Sequence, residues 1–200
     1  MMIAVVDYGS GNILSVTKAL EYVGARVVIS RETGGIEKAD KIVLPGVGAF
    51  GKAIEIMKEK NLVEPILEAV SSGKPLIGIC LGLHLLFPES EETPHVKGLS
   101  LLRGKVEKFT QNVKVPHLGW NRVYQKTSSP LWKDIPDGTY FYFAHSYISK
   151  PLEDGIITGT TEYGSSFPST LEKENLFGVQ FHPEKSQKWG LKLLENFVGL

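Results

Sequence analysis

The fold of this chain is most constrained by a short apolar run that leads directly into its only cysteine, Cys80. Residues 75–79 predict a buried parallel strand, because they are apolar on both faces and begin with a proline, and residues 81–87 predict the start of a helix. Gly78 and Gly82 lie two places to either side of Cys80, the spacing of a nucleophile elbow, in which a strand turns sharply into a helix. Because a helix N-terminus favours the thiolate, the stretch predicts a nucleophilic thiol.

Simple burial is the alternative for Cys80, since free cysteines are among the most buried residues in proteins. Glycine accounts for 21 of the 200 residues, so two glycines at these offsets arise by chance roughly once in a hundred. The spacing favours the elbow, but a nucleophile also needs a base from elsewhere in the chain.

Length and composition exclude several classes of function. A chain of 200 residues predicts a single domain over residues 1–200. Lys plus Arg and Asp plus Glu both number 22, so no net charge favours nucleic acid or an anionic membrane as a partner. One cysteine forms no internal disulfide, and the first residues lack the pattern of a signal peptide. We therefore expect a protein of the reducing cytoplasm.

The first half of the chain alternates between strand and helix patterns. Such alternation predicts an α/β protein with an open mixed, mostly parallel sheet and helices on both faces, in which functional loops gather at the carboxyl ends of the strands. The predicted strands are residues 3–7, 26–30, 41–44 and 75–79, and the predicted helices are residues 13–23, 50–60, 63–72 and 81–87.

Two glycine-rich turns follow predicted strands, at residues 9–12 and 45–48. The first could hold a phosphate at a helix N-terminus, but Leu14 stands where the dinucleotide fingerprint requires a third glycine, so a tight turn or a protein-binding loop remains open. The second could supply an N–H donor for an oxyanion, with Val47 and Leu81 as the candidate donors. An ordinary glycine turn is the alternative there.

The second half of the chain is rich in strand patterns, which extend the sheet with antiparallel or mixed strands. We expect the last segment, residues 186–200, to form a docking helix with Ser186 as its N-cap. An acidic loop at residues 89–92 precedes these strands. The predicted strands are residues 105–109, 121–124, 140–144, 155–161, 167–171 and 176–181.

A second chemical signal lies near the C-terminus, where a strand pattern leads into His182, Pro183 and Glu184. Pro183 favours an extended His182, and residues two apart in an extended segment project to the same side, so Glu184 can orient the imidazole of His182. A thiol, a base and a group that orients the base form the set used in acyl transfer. Metal binding is the alternative, but the five histidines show no ligand spacing, so no metal or other cofactor is expected.

The chain resembles the class I (triad) glutamine amidotransferases. The resemblance lies in the elbow at residues 78–82, the glycine loop at 45–48 and the Phe-His-Pro-Glu segment at 181–184, in this order. Within that family it is similar to glutaminase subunits of histidine biosynthesis, on the motifs at residues 7–12, 45–51, 116–121 and 182–186. The Pro-His-Leu-Gly-Trp-Asn motif at 116–121 argues against glutaminases of anthranilate or pyridoxal phosphate synthesis.

The resemblance implies a reaction and a set of residues. Cys80 would attack the amide of L-glutamine, and the ammonia would pass to a separate cyclase subunit, a (β/α)₈ barrel that forms a heterodimer with the glutaminase. Two other functions are possible on the same fold. A non-catalytic scaffold would not need an intact triad, and an independent peptide hydrolase would not explain the partner-facing motifs. The implied residues are Cys80, His182 and Glu184 for catalysis, Gly48, His84, Glu92, Ser146 and Tyr147 for glutamine, and Asn12, Trp120, Tyr142 and Lys185 for the cyclase.

His84 departs from the family pattern, because a glutamine that contacts the substrate usually stands four residues after the nucleophile. Histidine can still donate or accept one hydrogen bond at that place. The sequence leaves its charge near neutral pH open.

Overall fold

A nine-stranded mixed sheet forms the centre of the protein in the computed structural model, which describes residues 1–9, 12–109 and 113–200. Ser10 and Gly11, in the predicted turn at 9–12, lie outside the described residues. The strands are β1 Met2–Val6, β2 Arg26–Ser30, β3 Lys41–Leu44, β4 Leu76–Ile79, β5 Gly104–Lys108, β6 His117–Gln125, β7 Thr139–His145, β8 Tyr147–Pro151, β9 Ile157–Tyr163, β10 Ser165–Lys173 and β11 Leu176–Val179.

Six α-helices and three short 3₁₀ turns connect these strands in the described part of the chain. None of the described helices is both long and apolar enough to cross a membrane. The helices are α1 Ile13–Tyr22, α2 Thr33–Lys38, α3 Phe50–Glu59, α4 Val63–Ser71, α5 Leu81–Leu85 and α6 Gln187–Val198, and the 3₁₀ turns are Pro130–Trp132, Asp154–Ile156 and Pro183–Lys185.

The strand order of the main sheet is β2-β1-β3-β4-β11-β10-β9-β6-β7. The first five strands in this order are parallel, and each later pair is antiparallel. β5 and β8 form a separate antiparallel pair. The open mixed sheet predicted from the sequence is confirmed.

The core has two layers, one on each face of the sheet, which confirms the prediction of helices on both faces. Alternate residues of one strand enter different layers: Ile42 and Leu44 of β3 pack in one layer and Val43 in the other. The first layer contains α3 and α4, and the second contains α1 and α6. Strands buried on both faces explain the continuous apolar runs in the sequence.

The second half of the chain differs from the predictions in several places. The sequence pattern did not predict β8 or the 3₁₀ turns there, nor α2 in the first half of the chain, and the strand predicted at 121–124 extends over His117–Gln125. The predicted cap by Ser186 is wrong, because its side chain makes no hydrogen bond to α6. The Oγ of Ser186 instead donates to the carbonyl of His182 (2.7 Å) and accepts from the N–H of Tyr142 (3.0 Å).

Two glycines allow the elbow to pack against its neighbours. A Cβ at Gly82 would overlap the carbonyl oxygen of Leu44 in β3, and one at Gly78 would lie 2.6 Å from the carbonyl oxygen of Gly82. Real Cβ atoms do not approach backbone this closely, and backbone cannot move aside as a side chain can. The sequence therefore uses glycine where β3, β4 and α5 come into direct backbone contact.

We expect Gly82→Ala to lower the free energy of unfolding by about 3 kcal/mol, because the new methyl group would force α5 away from β3. Chemical denaturation measures the change. Gly34→Ala is the matched control: Gly34 also lies in a helix, and no atom of the described residues comes within 4 Å of its Cβ position. It should be neutral or stabilising by up to about 1 kcal/mol. A Gly82→Ala protein as stable as the Gly34→Ala protein would contradict the close contact.

Candidate active site

Cys80 occupies the turn between β4 and α5 with a strained backbone. Its φ is 54° and its ψ is −106°, in a region that residues with a side chain rarely adopt. The N–H of Cys80 donates to the carbonyl of Val179 in β11 (2.8 Å), which anchors the turn to the neighbouring strand. The predicted elbow is therefore present, and the thiol is nearly buried, with 6% of the residue exposed.

His182 reaches the elbow because β11 runs parallel to β4, with Val179 level with Ile79. The Nδ1–H of His182 donates to Oε1 of Glu184 over 2.9 Å, and both side chains are buried. His182 has extended backbone, as predicted, but residues 183–185 form a 3₁₀ turn rather than an extended segment. The predicted contact with Glu184 is thus present, although the turn, not the alternation of a strand, brings the two side chains together.

The environment of His182 favours its charged form. Burial acts to lower the pKa of His182, but hydrogen bonds and charge interactions with Cys80 and Glu184 outweigh burial and raise the pKa to about 10. Among the described residues, Nε2 of His182 has no nitrogen or oxygen partner. A buried imidazolium beside a cysteine sulfur stabilises the thiolate, which is the reactive form.

A cavity of about 200 Å³ opens over the thiol. This volume lies below the roughly 300–1,000 Å³ typical of sites for drug-sized ligands, and it suits a molecule the size of an amino acid. The cavity contains every residue that the sequence suggested for the oxyanion and for the substrate. Its lining is Val47, Gly48, Cys80, Leu81, His84, Glu92, Pro116, Ala144, His145, Ser146 and Tyr147.

Glu92 and Tyr8 hold the loop at residues 45–48 from its two ends. The Oε2 of Glu92 accepts from the N–H of Phe50 (2.8 Å), so this carboxylate caps α3 from a distant part of the chain while it lines the cavity. The hydroxyl of buried Tyr8 donates to the carbonyl of Pro45 (2.6 Å). Gly48 adopts a φ of 110°, which favours glycine.

His84 is buried and neutral at neutral pH. Burial lowers its pKa to about 4, although a hydrogen bond to Gln180 opposes the shift. The Nε2 of His84 lies 2.8 Å from Oε1 of Gln180, which can only accept, so Nε2 carries the proton. The Nε2 of Gln180 in turn lies 3.9 Å from Sγ of Cys80. Gln180 therefore joins His84 to the thiol of Cys80.

Trp120, Tyr142 and Lys185, three of the four residues suggested for the cyclase, lie together. The rings of Trp120 and Tyr142 meet edge to face with centroids 6.0 Å apart, and Nζ of Lys185 lies 5.9 Å from the centre of the Tyr142 ring. Trp120 is 46% exposed, which is unusual for so large an apolar side chain. We call this group the aromatic patch. Asn12 immediately precedes α1 and is partly buried.

The sequence did not identify Gln180, Tyr8 or His145 as site residues. Gln180 stands in an apolar run before His182 and is fully buried, so its need for a hydrogen-bond partner was a usable signal. Tyr8 and His145 offered no local signal, because their partners come from distant parts of the chain.

The thiol at a strained elbow, the histidine paired with glutamate and the small cavity agree with what comparison with known proteins shows. A family model for class-I glutamine amidotransferases matches residues 4–199, so this chain belongs to the class-I glutamine amidotransferase family. The imidazole glycerol phosphate synthase subunit HisH of Moorella thermoacetica is 51% identical to it over 98% of this chain and 93% of the relative. The protein of the same name from Bacillus cereus strain G9842 is 45% identical over 100% and 95%.

Solved structures support the fold independently. A crystal structure of a glutamine amidotransferase superposes with a TM-score of 0.78 at 18% identity and covers 99% of both chains. A structure of PurLQS from Thermotoga maritima gives a TM-score of 0.78 at 19% identity, with coverage of 99% of this chain and 97% of the other. At such low identity these likenesses establish only the architecture.

We expect stability to fall on acidification, in part because of His84. Its folded pKa of about 4 lies below the ordinary 6.5, so the unfolded chain binds more protons between these values and gains stability relative to the fold as the pH drops. As the pH falls from 6.5 to 4.5, the free energy of unfolding should drop by about 2 kcal/mol more in the wild type than in His84→Gln. Urea denaturation across this range measures the slope.

His95→Gln is the matched control, because it makes the same substitution at a solvent-exposed site. Only the His84 variant should flatten the dependence on pH. Equal slopes for the wild type and His84→Gln would mean that His84 is not held neutral by burial.

Proposed function

We propose that this chain is the glutaminase subunit of an imidazole glycerol phosphate synthase, with residues 1–200 acting as one glutaminase domain. The observation that carries the proposal is the strained Cys80 at the wall of a small cavity, beside the buried pair of His182 and Glu184. The relatives named HisH supply the reaction to which this machinery would belong. Because the thiol must stay reduced to act, we place the protein in the reducing cytoplasm.

The first half of the proposed reaction forms a thioester. The thiolate of Cys80 attacks the side-chain amide carbon of L-glutamine, and the carbonyl oxygen becomes an oxyanion. The backbone N–H groups of Val47 and Leu81 are the candidate donors to this oxyanion, because both residues line the cavity beside the thiol. The imidazolium of His182 then gives its proton to the leaving nitrogen, so ammonia departs and a glutamyl thioester remains on Cys80.

The second half hydrolyses the thioester. His182, now neutral, takes a proton from a water molecule that attacks the thioester carbon, and glutamate leaves as the thiolate is restored. Glu184 holds the ring through Nδ1 and stabilises its positive charge in each cycle. The buried position of both side chains keeps bulk water from competing for this hydrogen bond.

Recognition of glutamine falls to another part of the cavity wall, formed by Gly48, His84, Glu92, Ser146 and Tyr147. Glu92 is the anionic side chain of this wall and suits the α-ammonium group of the substrate. Neutral His84 offers an acceptor at Nδ1 because Nε2 is committed to Gln180. His84 thus takes over a place that the family usually gives to glutamine.

The ammonia would pass to a cyclase subunit with a (β/α)₈ barrel, which would use it to make imidazole glycerol phosphate and an aminoimidazole carboxamide ribotide. The aromatic patch, together with Asn12, is the proposed face for this partner. Tyr142 of the patch takes no part in the proposed chemistry. Its backbone N–H donates to the hydroxyl of Ser186, and that hydroxyl donates to the carbonyl of His182. The proposed interface is therefore joined to the catalytic base by two hydrogen bonds.

We expect Cys80→Ala to lower glutamine-dependent turnover of the complex with the cyclase at least about a thousand-fold, because the nucleophile is lost. Turnover with added ammonium should remain, since the cyclase then needs no glutaminase. Both reactions are followed through formation of imidazole glycerol phosphate. The ammonium reaction serves as the internal control, and a Cys80→Ala complex that still uses glutamine would refute the thioester mechanism.

Truncation of the aromatic patch should weaken binding of the cyclase. We expect Trp120→Ala to raise the Kd of the heterodimer about thirty-fold, as for a buried aromatic anchor of an interface. Tyr22→Ala is the matched control, because Tyr22 is 79% exposed and is the last residue of α1, at the opposite end of that helix from Asn12. Isothermal titration of the two subunits measures both values. If both variants bind as the wild type does, the partner uses another face.

A further inference from the structure

Two buried histidines beside the cavity have no part in the proposed reaction. His117 begins β6 and His145 ends β7, and the two residues pair across the antiparallel ladder. The Nδ1 of His117 lies 3.0 Å from Nε2 of His145, and both residues are at most 5% exposed. His145 also lines the cavity. Buried polar groups are costly unless each is paired, so the protons of these two rings must lie where they satisfy every contact.

The far ends of the histidine pair have fixed hydrogen-bond roles. At one end, Nδ1 of His145 lies 2.8 Å from the backbone carbonyl of Tyr147, which can only accept, so Nδ1 must carry a proton. At the other end, Nε2 of His117 lies 3.2 Å from Nδ2 of Asn121, which can only donate. The amide of Asn121 cannot be reversed, because Nδ2 donates to the carbonyl of Glu162 (2.9 Å) and Oδ1 accepts from the N–H of Arg122 (2.8 Å).

One arrangement of protons satisfies every contact. Asn121 donates to His117, the Nδ1–H of His117 donates to His145, and the Nδ1–H of His145 donates to the carbonyl of Tyr147. Each ring is then neutral and protonated on Nδ1. Burial agrees with this, since it lowers the pKa of His117 to about 4 and that of His145 well below its ordinary value. A charge on either ring would place two donors, or two positive rings, against each other.

The packing leaves the rings little freedom to turn. His117 stacks on Tyr163 with centroids 4.0 Å apart and planes 19° apart, and it also stacks on Phe143 at 4.8 Å. Phe109 meets the ring of His145 at 5.3 Å. A chain of donors held in this way fixes the position of the acceptor at its end, which is the backbone of Tyr147.

The two ends of the chain belong to different functional regions. Asn121 follows Trp120 of the aromatic patch directly in β6, whereas Tyr147 and the neighbouring Ser146 line the cavity. We propose that Asn121, His117 and His145 are positioning residues. They hold residues 145–147, which line the glutamine site, in a fixed position relative to β6, the strand that carries Trp120 of the patch. This inference rests on the proposed function, because it assigns glutamine to the cavity.

The tautomers are tested first, on the unaltered protein in complex with the cyclase. Nitrogen-15 NMR of labelled histidine distinguishes protonated from unprotonated ring nitrogens. We expect His117 and His145 both to be neutral, with the proton on Nδ1, and single substitutions assign the signals. A proton on Nε2 of either ring would overturn the proposal, whether or not the protein is a glutaminase.

The kinetic test is Asn121→Asp, measured with glutamine in the same complex. A carboxylate cannot donate to His117, so Nε2 of His117 must carry the proton. With the rings kept neutral by burial, the chain then reverses, and the unprotonated Nδ1 of His145 pushes the Tyr147 carbonyl from its place. We expect KM for glutamine to rise about ten-fold with kcat changed less than about three-fold, and the histidine spectra to shift. Asn61→Asp is the matched control, since Asn61 is exposed and lies between α3 and α4, outside the strands that carry the chain.

The outcomes separate the two proposals. If the wild-type complex uses no glutamine, the proposed function fails. If the wild type uses glutamine and Asn121→Asp matches Asn61→Asp in KM, the positioning role fails while the glutaminase stands. Equal thermal unfolding temperatures for both variants exclude a general loss of structure as the cause of a raised KM.

Discussion

The close backbone contact at the elbow is the constraint on which the rest of the active site depends. A left-handed φ at a cysteine costs roughly 1–3 kcal/mol and persists only where the surroundings leave no alternative. Here the surroundings act from two sides: Gly82 presses against the carbonyl of Leu44 in β3, and the N–H of Cys80 is held by Val179 in β11. The position of the thiol is thus set by three neighbouring strands, β3, β4 and β11, and not by its own loop.

The register of the sheet then places His182. Because β4 and β11 are parallel and Ile79 is level with Val179, the chain leaves both strands at the same edge, one into the elbow and the other towards His182. The 3₁₀ turn that follows returns Glu184 to the imidazole, and Ser186 ties the carbonyl of His182 to β7. A single sheet edge therefore brings Cys80 and His182 together, the proposed nucleophile and base.

The sequence predicted the parts of this site that depend on local pattern. Glycines around Cys80 and the His-Pro-Glu segment can be read from a few consecutive residues, and the parallel half of the sheet follows from the alternation of strand and helix. The pairing of Gln180 with His84 could not be predicted, since it joins residues 96 positions apart. Ser186 illustrates the same limit, because a serine before a helix is an ordinary cap, and only the fold offers it the N–H of Tyr142 instead.

The four buried histidines show how one active site can hold charged and neutral imidazoles side by side. Burial opposes the charge on all four, but within the described part of the chain only His182 has a carboxylate partner, and of the four only its pKa is raised. His84, His117 and His145 are bonded to an amide, to one another and to a backbone carbonyl, all of which are neutral groups. Neutral partners satisfy a ring without charging it, so the positive charge is confined to the one imidazole that the proposed mechanism uses as proton donor to the leaving nitrogen. The other three rings, unable to take up that proton at neutral pH, serve instead as fixed donors and acceptors around it.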